Sequence, residues 1–173
     1  MKSSIKREIL SWVGVIMSAV AVAMALNFFV IIHAEVPTGS MIPTILEHSR
    51  IVAFRLSYLF DEPLRYDVVV FPFPDDETQY YVKRIIGLPG EFIDIVDGKV
   101  YIDGSSEALD DHYLNNVPVG DGHYEVPYGH YFMMGDNRNY SSDSRAWDHA
   151  YLKREKILGK VIFTYYPEIK LIK

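Results

Sequence analysis

Residues 79–90 read Gln79-Tyr-Tyr-Val-Lys-Arg-Ile-Ile-Gly-Leu-Pro-Gly90, a run of β-formers closed by a turn pair. Strand alternation puts Tyr81, Lys83 and Ile85 on one face and Val82, Arg84 and Ile86 on the other. One of two adjacent cations therefore shares a largely apolar face with its neighbours. Other runs rich in Val, Ile, Tyr and Phe flank this one: 51–56, 67–73, 92–96, 99–102, 131–134 and 160–166. Between them lie Pro72, Pro74, Pro118, Gly120, Gly122, Pro127 and Gly129. Asp97-Gly98, set between Ile95-Val96 and Lys99-Val100, predicts a tight hairpin, because both central residues of a type I′ turn need positive φ. Helix signals are few; the spacing predicts a short one over 148–158, stopped by Gly159.

Upstream the pattern changes. Ile9 to Ile32 is a run of 24 residues without a charge, preceded by Lys2, Lys6 and Arg7. As a helix it is about 36 Å long, enough to cross a hydrocarbon core of roughly 30 Å. A cleavable signal peptide has a shorter apolar region, and the Ala-x-Ala steps between Ala19 and Ala25 lie inside this run. The expectation is a retained anchor over 9–34. The basic flank places residues 1–8 in the cytoplasm and 35–173 outside. The predicted fold class is mostly β: an antiparallel β-sheet ectodomain with few short helices, on one N-terminal transmembrane helix. Residues 90–129 predict a hairpin-rich insertion or subdomain.

Charge and composition narrow the function classes. The chain has 173 residues, 49% hydrophobic and 23% charged, which suits one compact domain plus an apolar segment. Residues 1–8 carry +2, so with a total of −6 the rest carries −8. An acidic ectodomain argues against a nucleic-acid partner. Without cysteine there is no disulfide, thiolate metal site or cysteine nucleophile. The six histidines lack metal-ligand spacing, so neither a metal nor another cofactor is expected.

Three segments can carry chemistry. Val36-Pro-Thr-Gly-Ser-Met-Ile-Pro-Thr44 sets Ser40 beside Gly39, between Pro37 and Pro43, a way to hold a hydroxyl in a fixed direction. Taken alone it also reads as an ordinary turn leading off the apolar run. Lys83, if its face is buried, is a lysine whose pKa falls toward neutrality, as a lysine base requires. Taken alone it also reads as an exposed edge-strand lysine. Gly135-Asp-Asn-Arg-Asn-Tyr-Ser-Ser-Asp-Ser-Arg145 offers Ser141, Ser142 and Ser144 as partners for an amine, and Asp143 with Arg145 as an ion pair. It also reads as a polar surface loop.

Together, in this order and behind this anchor, the segments resemble the bacterial type I signal peptidases, the Ser/Lys leader peptidases. The likeness runs from the anchor through Gly159-Lys-Val-Ile-Phe-Thr-Tyr-Tyr-Pro167. The resemblance implies that Ser40 is the nucleophile and Lys83 the general base of a serine endopeptidase. It implies an oxyanion hole from the Ser40 backbone N–H and Thr38, which stands where many members have serine. Ser141 matches the serine that positions the lysine. Asp143 and Arg145 match a structural ion pair. Gly39, Met41, Pro43, Arg84, Gly135, Asp136, Asn137 and Arg138 match the scaffold. After Arg145, Ala146-Trp-Asp-His149 departs from the aromatic-Gly step of many relatives. The implied substrates are secretory preproteins with small residues at the first and third positions before the cut, bound as an added strand at the bilayer surface. Ile42 is a candidate pocket wall. The oligomeric state is not legible. Competing readings are a self-cleaving repressor with the same catalytic pair, an organellar processing peptidase, and a single-span β-domain receptor or binding module without catalysis.

Overall fold

The computed structural model describes residues 2–114 and 116–172. Helix α1 (Lys2–Val30) projects from the rest, and its apolar part, Lys6–Val30, is not buried by it. At ~1.5 Å per residue, 25 residues reach ~38 Å, the length of a membrane span. The helix stops at Val30, earlier than the uncharged run suggests. Ile31 and Ile32 instead open a strand, because their backbone pairs with Phe54 and Ala53.

The remainder is antiparallel β throughout, as the sequence predicts. The strands are β1 (Ile31–Val36), β2 (Ser49–Phe54), β3 (Val68–Phe73), β4 (Asp76–Gly87), β5 (Phe92–Val96), β6 (Lys99–Ile102), β7 (Gly122–Glu125), β8 (His130–Met134), β9 (Tyr151–Lys153), β10 (Gly159–Tyr166) and β11 (Lys170–Leu171). The main sheet runs β1-β2-β10-β3-β4-β8-β9, with β11 on β10. A second sheet, β6-β5-β7, stands within residues 92–125. Its β5–β6 turn has φ of 49° at Asp97 and 76° at Gly98, the left-handed pair that Asp-Gly accommodates.

The helix expected over 148–158 does not form. Tyr151–Lys153 pairs with β8, which buries Leu152, and only Arg154–Lys156 makes a 3-10 turn. Sheet pairing outweighs a weak local helix preference.

Three apolar clusters fill the β domain. One holds Val36, Met41, Ile45, Ile51 and Val161. A second holds Val69, Phe71, Ile85, Tyr131, Met133 and Trp147. The third joins the two sheets through Ile86, Ile93, Val100 and Phe132. Gly87 lies at that junction: a Cβ there would stand 2.9 Å from Phe132 Cβ and collide with Ile93 Cδ1. Gly87→Ala is therefore expected to cost about 1–3 kcal/mol by overpacking, read as a lowered midpoint in denaturant unfolding.

Candidate active site

Strand β4 brings the two neighbouring cations to different surroundings. Arg84 faces away from Lys83 and is buried with Asp136. Its Nε and Nη2 donate to Asp136 Oδ1 and Oδ2 at 2.8 and 2.7 Å, a two-pronged pair. Nη1 donates to Tyr66 O at 2.7 Å, and the guanidinium lies 4.5 Å from the Tyr113 ring centre. The Thr44 hydroxyl also donates to Asp136. This pair ties the Ser40 segment, β4 and the Gly135–Arg145 loop together.

Lys83 is 4% exposed, and among the described residues no carboxylate pairs with it directly. It stands between Tyr81 and Ile85, with Val69 opposite on β3. Its Nζ donates to Ser40 Oγ at 2.5 Å. Burial pushes the Lys83 amine down to about 8; the charges of Asp143 and Asp136 oppose this and that of Arg145 adds to it. Both faces of β4 are buried from Lys83 onward, so the exposed edge-strand position that the pattern alone allowed for Lys83 is not what forms.

Ser40, 7% exposed, sits in a 3-10 turn over Gly39–Met41. Met41 anchors the turn in the first cluster, and the Ile42–Pro43 peptide is cis. Gly39 leaves room for Ile42 Cδ1, which a Cβ would meet at 3.0 Å. The Thr38 hydroxyl donates to Ser40 Oγ at 3.5 Å, the limit of a hydrogen bond.

The Gly135–Arg145 loop supports the turn from behind. Asn137 N donates to Ser40 O and Asn137 Nδ2 to Gly39 O, both at 3.0 Å. Asp143, fully buried, accepts from Gly135 N at 2.9 Å and from Arg145 Nε at 2.8 Å. Arg145 Nη2 donates to Arg138 O at 2.6 Å. The Arg138 side chain turns away, toward Asp111 (3.2 Å) and the Tyr113 hydroxyl (2.9 Å). Gly135 has no room for a side chain: a Cβ would stand 2.5 Å from Ser40 O and collide with Ser141 Oγ.

The three serines separate. Ser144 Oγ accepts Met133 N at 2.8 Å, and Ser142 lines the cleft. The Ser141 hydroxyl is buried over Gly135, with no hydrogen-bond partner among the described residues, so no hydrogen bond joins it to Lys83.

Ser40 and Lys83 open onto a cleft of about 400 Å³ between β1 and the first half of β4. Ala34, Val36 and Thr38 line one side, Gln79 to Val82 the other. Ile42 is not among the lining residues. Sequence reading had not singled out the walls Ala34, Val36 and Val82, because only the curl of the sheet brings β1 to β4. Among the described residues β8 pairs with only Arg84 to Gly87 of β4, and β1 pairs only with β2. Two unpaired strand edges thus flank the cleft. A hydroxyl held against a dry amine, beside open edges, can attack the carbonyl of an extended peptide and become acylated without imidazole.

Comparison with known proteins gives the family. The model of the family "Signal peptidase, peptidase S26" matches residues 9–166. A probable signal peptidase I-1 of Synechocystis sp. is 35% identical, covering 90% of this chain and 81% of its own. Signal peptidase I S of Bacillus subtilis is 32% identical, covering 94% and 91%. A crystal structure of a signal peptidase I from Enterococcus faecalis is 33% identical, covering 58% and 97%, with a TM-score of 0.49. The chain belongs to the signal peptidase family, peptidase S26, and is a serine endopeptidase. The reading as a binding module without catalysis falls with that membership.

Removing one partner of the Arg84–Asp136 pair strands a buried charge. Asp136→Ala is expected to cost about 3–5 kcal/mol in denaturant unfolding, with much of the loss recovered in Arg84→Met/Asp136→Leu.

Proposed function

We propose that this chain removes signal peptides from secretory preproteins at the outer face of the cytoplasmic membrane, with Ser40 as nucleophile and Lys83 as general base. The observation that carries the reading is the 2.5 Å contact from Lys83 Nζ to Ser40 Oγ, made by an amine whose pKa burial lowers to about 8. The preprotein lies extended between the free edges of β1 and β4, adding a strand. Ala34, Val36 and Val82 leave shallow space there, suited to small side chains before the cut.

The chemistry follows from the contacts. Neutral Lys83 takes the Ser40 proton as Oγ attacks the scissile carbonyl. The oxyanion meets the Ser40 N–H and, after a small rotation, the Thr38 hydroxyl. Collapse breaks the C–N bond, and Lys83 gives its proton to the leaving amine. A water, deprotonated by Lys83, then attacks the ester; the carboxylic product leaves and Ser40 regains its proton. Gly39, Met41 and Pro43 fix the serine turn. Asp136 with Arg84, and Gly135, Asn137, Arg138, Asp143 and Arg145, hold that turn against β4. Ser141 packs over Gly135, in the same loop, and supports the serine turn rather than the lysine amine.

The anchor belongs to the function. Lys2, Lys6 and Arg7 keep the N-terminus cytoplasmic, and α1 carries the catalytic domain across. Ser40 lies ten residue steps beyond Val30, a reach of at most about 33–36 Å. That keeps the nucleophile near the bilayer, where a preprotein presents its cleavage site just past its own apolar segment.

The direct test incubates the detergent-solubilised chain with a model preprotein and maps the cut by mass. One cut after a small residue past the apolar segment is expected; no cut there overturns the reading. Ser40→Ala and Lys83→Ala should each lower kcat on the order of 10³-fold or more while unfolding normally. Near-normal processing by either purified variant would remove that residue from the mechanism. The base must be neutral, so kcat/KM should be level above about pH 8 and fall about tenfold per unit below it. A profile flat from pH 9 to pH 6 contradicts a lysine base.

A further inference from the structure

Trp147 lies two residues after Arg145, and no step above uses it. It is 7% exposed. Its ring meets Phe71, Phe73 and Tyr81 edge-on, with centres 5.9, 5.6 and 6.1 Å away. Phe73 and Tyr81 are themselves stacked at 4.5 Å with planes 4° apart. Tyr81 lies one strand repeat before Lys83 on the same face, its ring centre 5.2 Å from Lys83 Nζ. Tyr81 also lines the cleft. Water approaching the amine through that wall meets Tyr81 first, and Trp147 is the ring packed against it.

The segment carrying Trp147 is pinned at both ends. Ala146 N and Trp147 N donate to Asp143 O at 2.8 and 3.2 Å. Asp148 N and His149 N donate to the Asp75 carboxylate at 2.9 and 2.8 Å, and His149 Nδ1 lies 2.7 Å from Asp75 Oδ1. Asp75 sits in the β3–β4 turn, so the clasp ties this segment to the hairpin that bears Phe73, Tyr81 and Lys83. The indole N–H has no hydrogen-bond partner among the described residues, so the ring's shape rather than its polar atom is what the site uses.

We infer that Trp147 is a positioning residue for Lys83: packed on Tyr81 and clasped through Asp75, it keeps the apolar wall beside the lysine amine closed to water. The inference rests on the reading of Lys83 as the base. Burial is the largest influence lowering the affinity of that amine for its proton. The charges acting on it are Asp143 and Asp136, which favour the ammonium, and Arg145, which opposes it. All three stay in place when Trp147 is changed, so a moved pH profile reports hydration.

The test is kcat/KM of the full chain in detergent on a model preprotein between pH 6 and pH 11. Trp147→Ala should move the acidic limb upward by about one pH unit, a roughly tenfold loss at pH 7 that disappears at high pH. Trp147→Phe, which keeps a ring on Tyr81, should leave the limb in place. A Trp147→Ala profile with an unmoved limb, even with a uniformly lower rate, overturns the inference. If Trp147→Ala does not fold, Asp75→Ala decides, since it releases the clasp and leaves the ring: an upward shift supports the inference, and no shift overturns it. Lys83→Ala separates the two ideas. If that variant still cleaves with the same acidic limb, the base assignment fails by itself, whatever Trp147 does.

Discussion

Two adjacent cations on β4, both taken out of water and, among the described residues, only one paired directly with a carboxylate, are the constraint on which the rest of the structure depends. A buried charge without compensation costs several kcal/mol, so the two residues reach different solutions. Arg84 cannot lose its proton and is met by Asp136, Tyr66 O and the Tyr113 ring. Lys83 can lose its proton, and the fold lowers its pKa rather than supplying a carboxylate in contact. The order Lys-Arg could not be reversed: an arginine on the face toward Ser40 would stay charged, and a lysine facing Asp136 could not make the two-pronged pair.

The same arrangement organises the serine. Asp136 accepts from Arg84 and Thr44, and the next residue, Asn137, holds the carbonyls of Gly39 and Ser40. The ion pair on one face of β4 is thereby connected to the turn that presents Ser40 Oγ to the amine on the other. Asp143 fulfils a parallel task, bonding Gly135 N and Arg145 while its charge reaches Lys83 only at a distance. Close backbone packing, seen at Gly135, makes the site rigid in the way general-base catalysis needs.

Much of the fold was legible because strands have a simple period. The runs that became β3, β4, β5, β6, β8 and β10 stand out by β-branched and aromatic content, and Asp97-Gly98 marks its turn. Strands β1, β7, β9 and β11 were not legible. Each is short or lies where another pattern dominates: β1 opens inside the uncharged run, and β9 lies in a stretch with weak helix character. β1, β7 and β9 pair with strands many residues away, and β11, two residues long, forms only against the end of β10.

By itself, the sequence determined the chemical inventory and its order: an uncharged N-terminal run, a serine flanked by glycine and prolines, Lys-Arg in a strand, and a Gly-Asp-Asn-Arg loop with serines behind it. Local rules suffice for these, since charge, period and turn propensity are short-range properties. Only the tertiary structure decided that both faces of β4 are buried there, that Asp136 meets Arg84, and that Ser40 reaches Lys83 at 2.5 Å across 43 residues of chain. It also decided that Ser141 has no hydrogen bond to the lysine while Trp147 lies behind Tyr81. Burial and contact belong to the packed sheet as a whole: the curl that brings β1 to β4 creates the cleft, and the low-dielectric interior makes an ordinary lysine fit to act as a base.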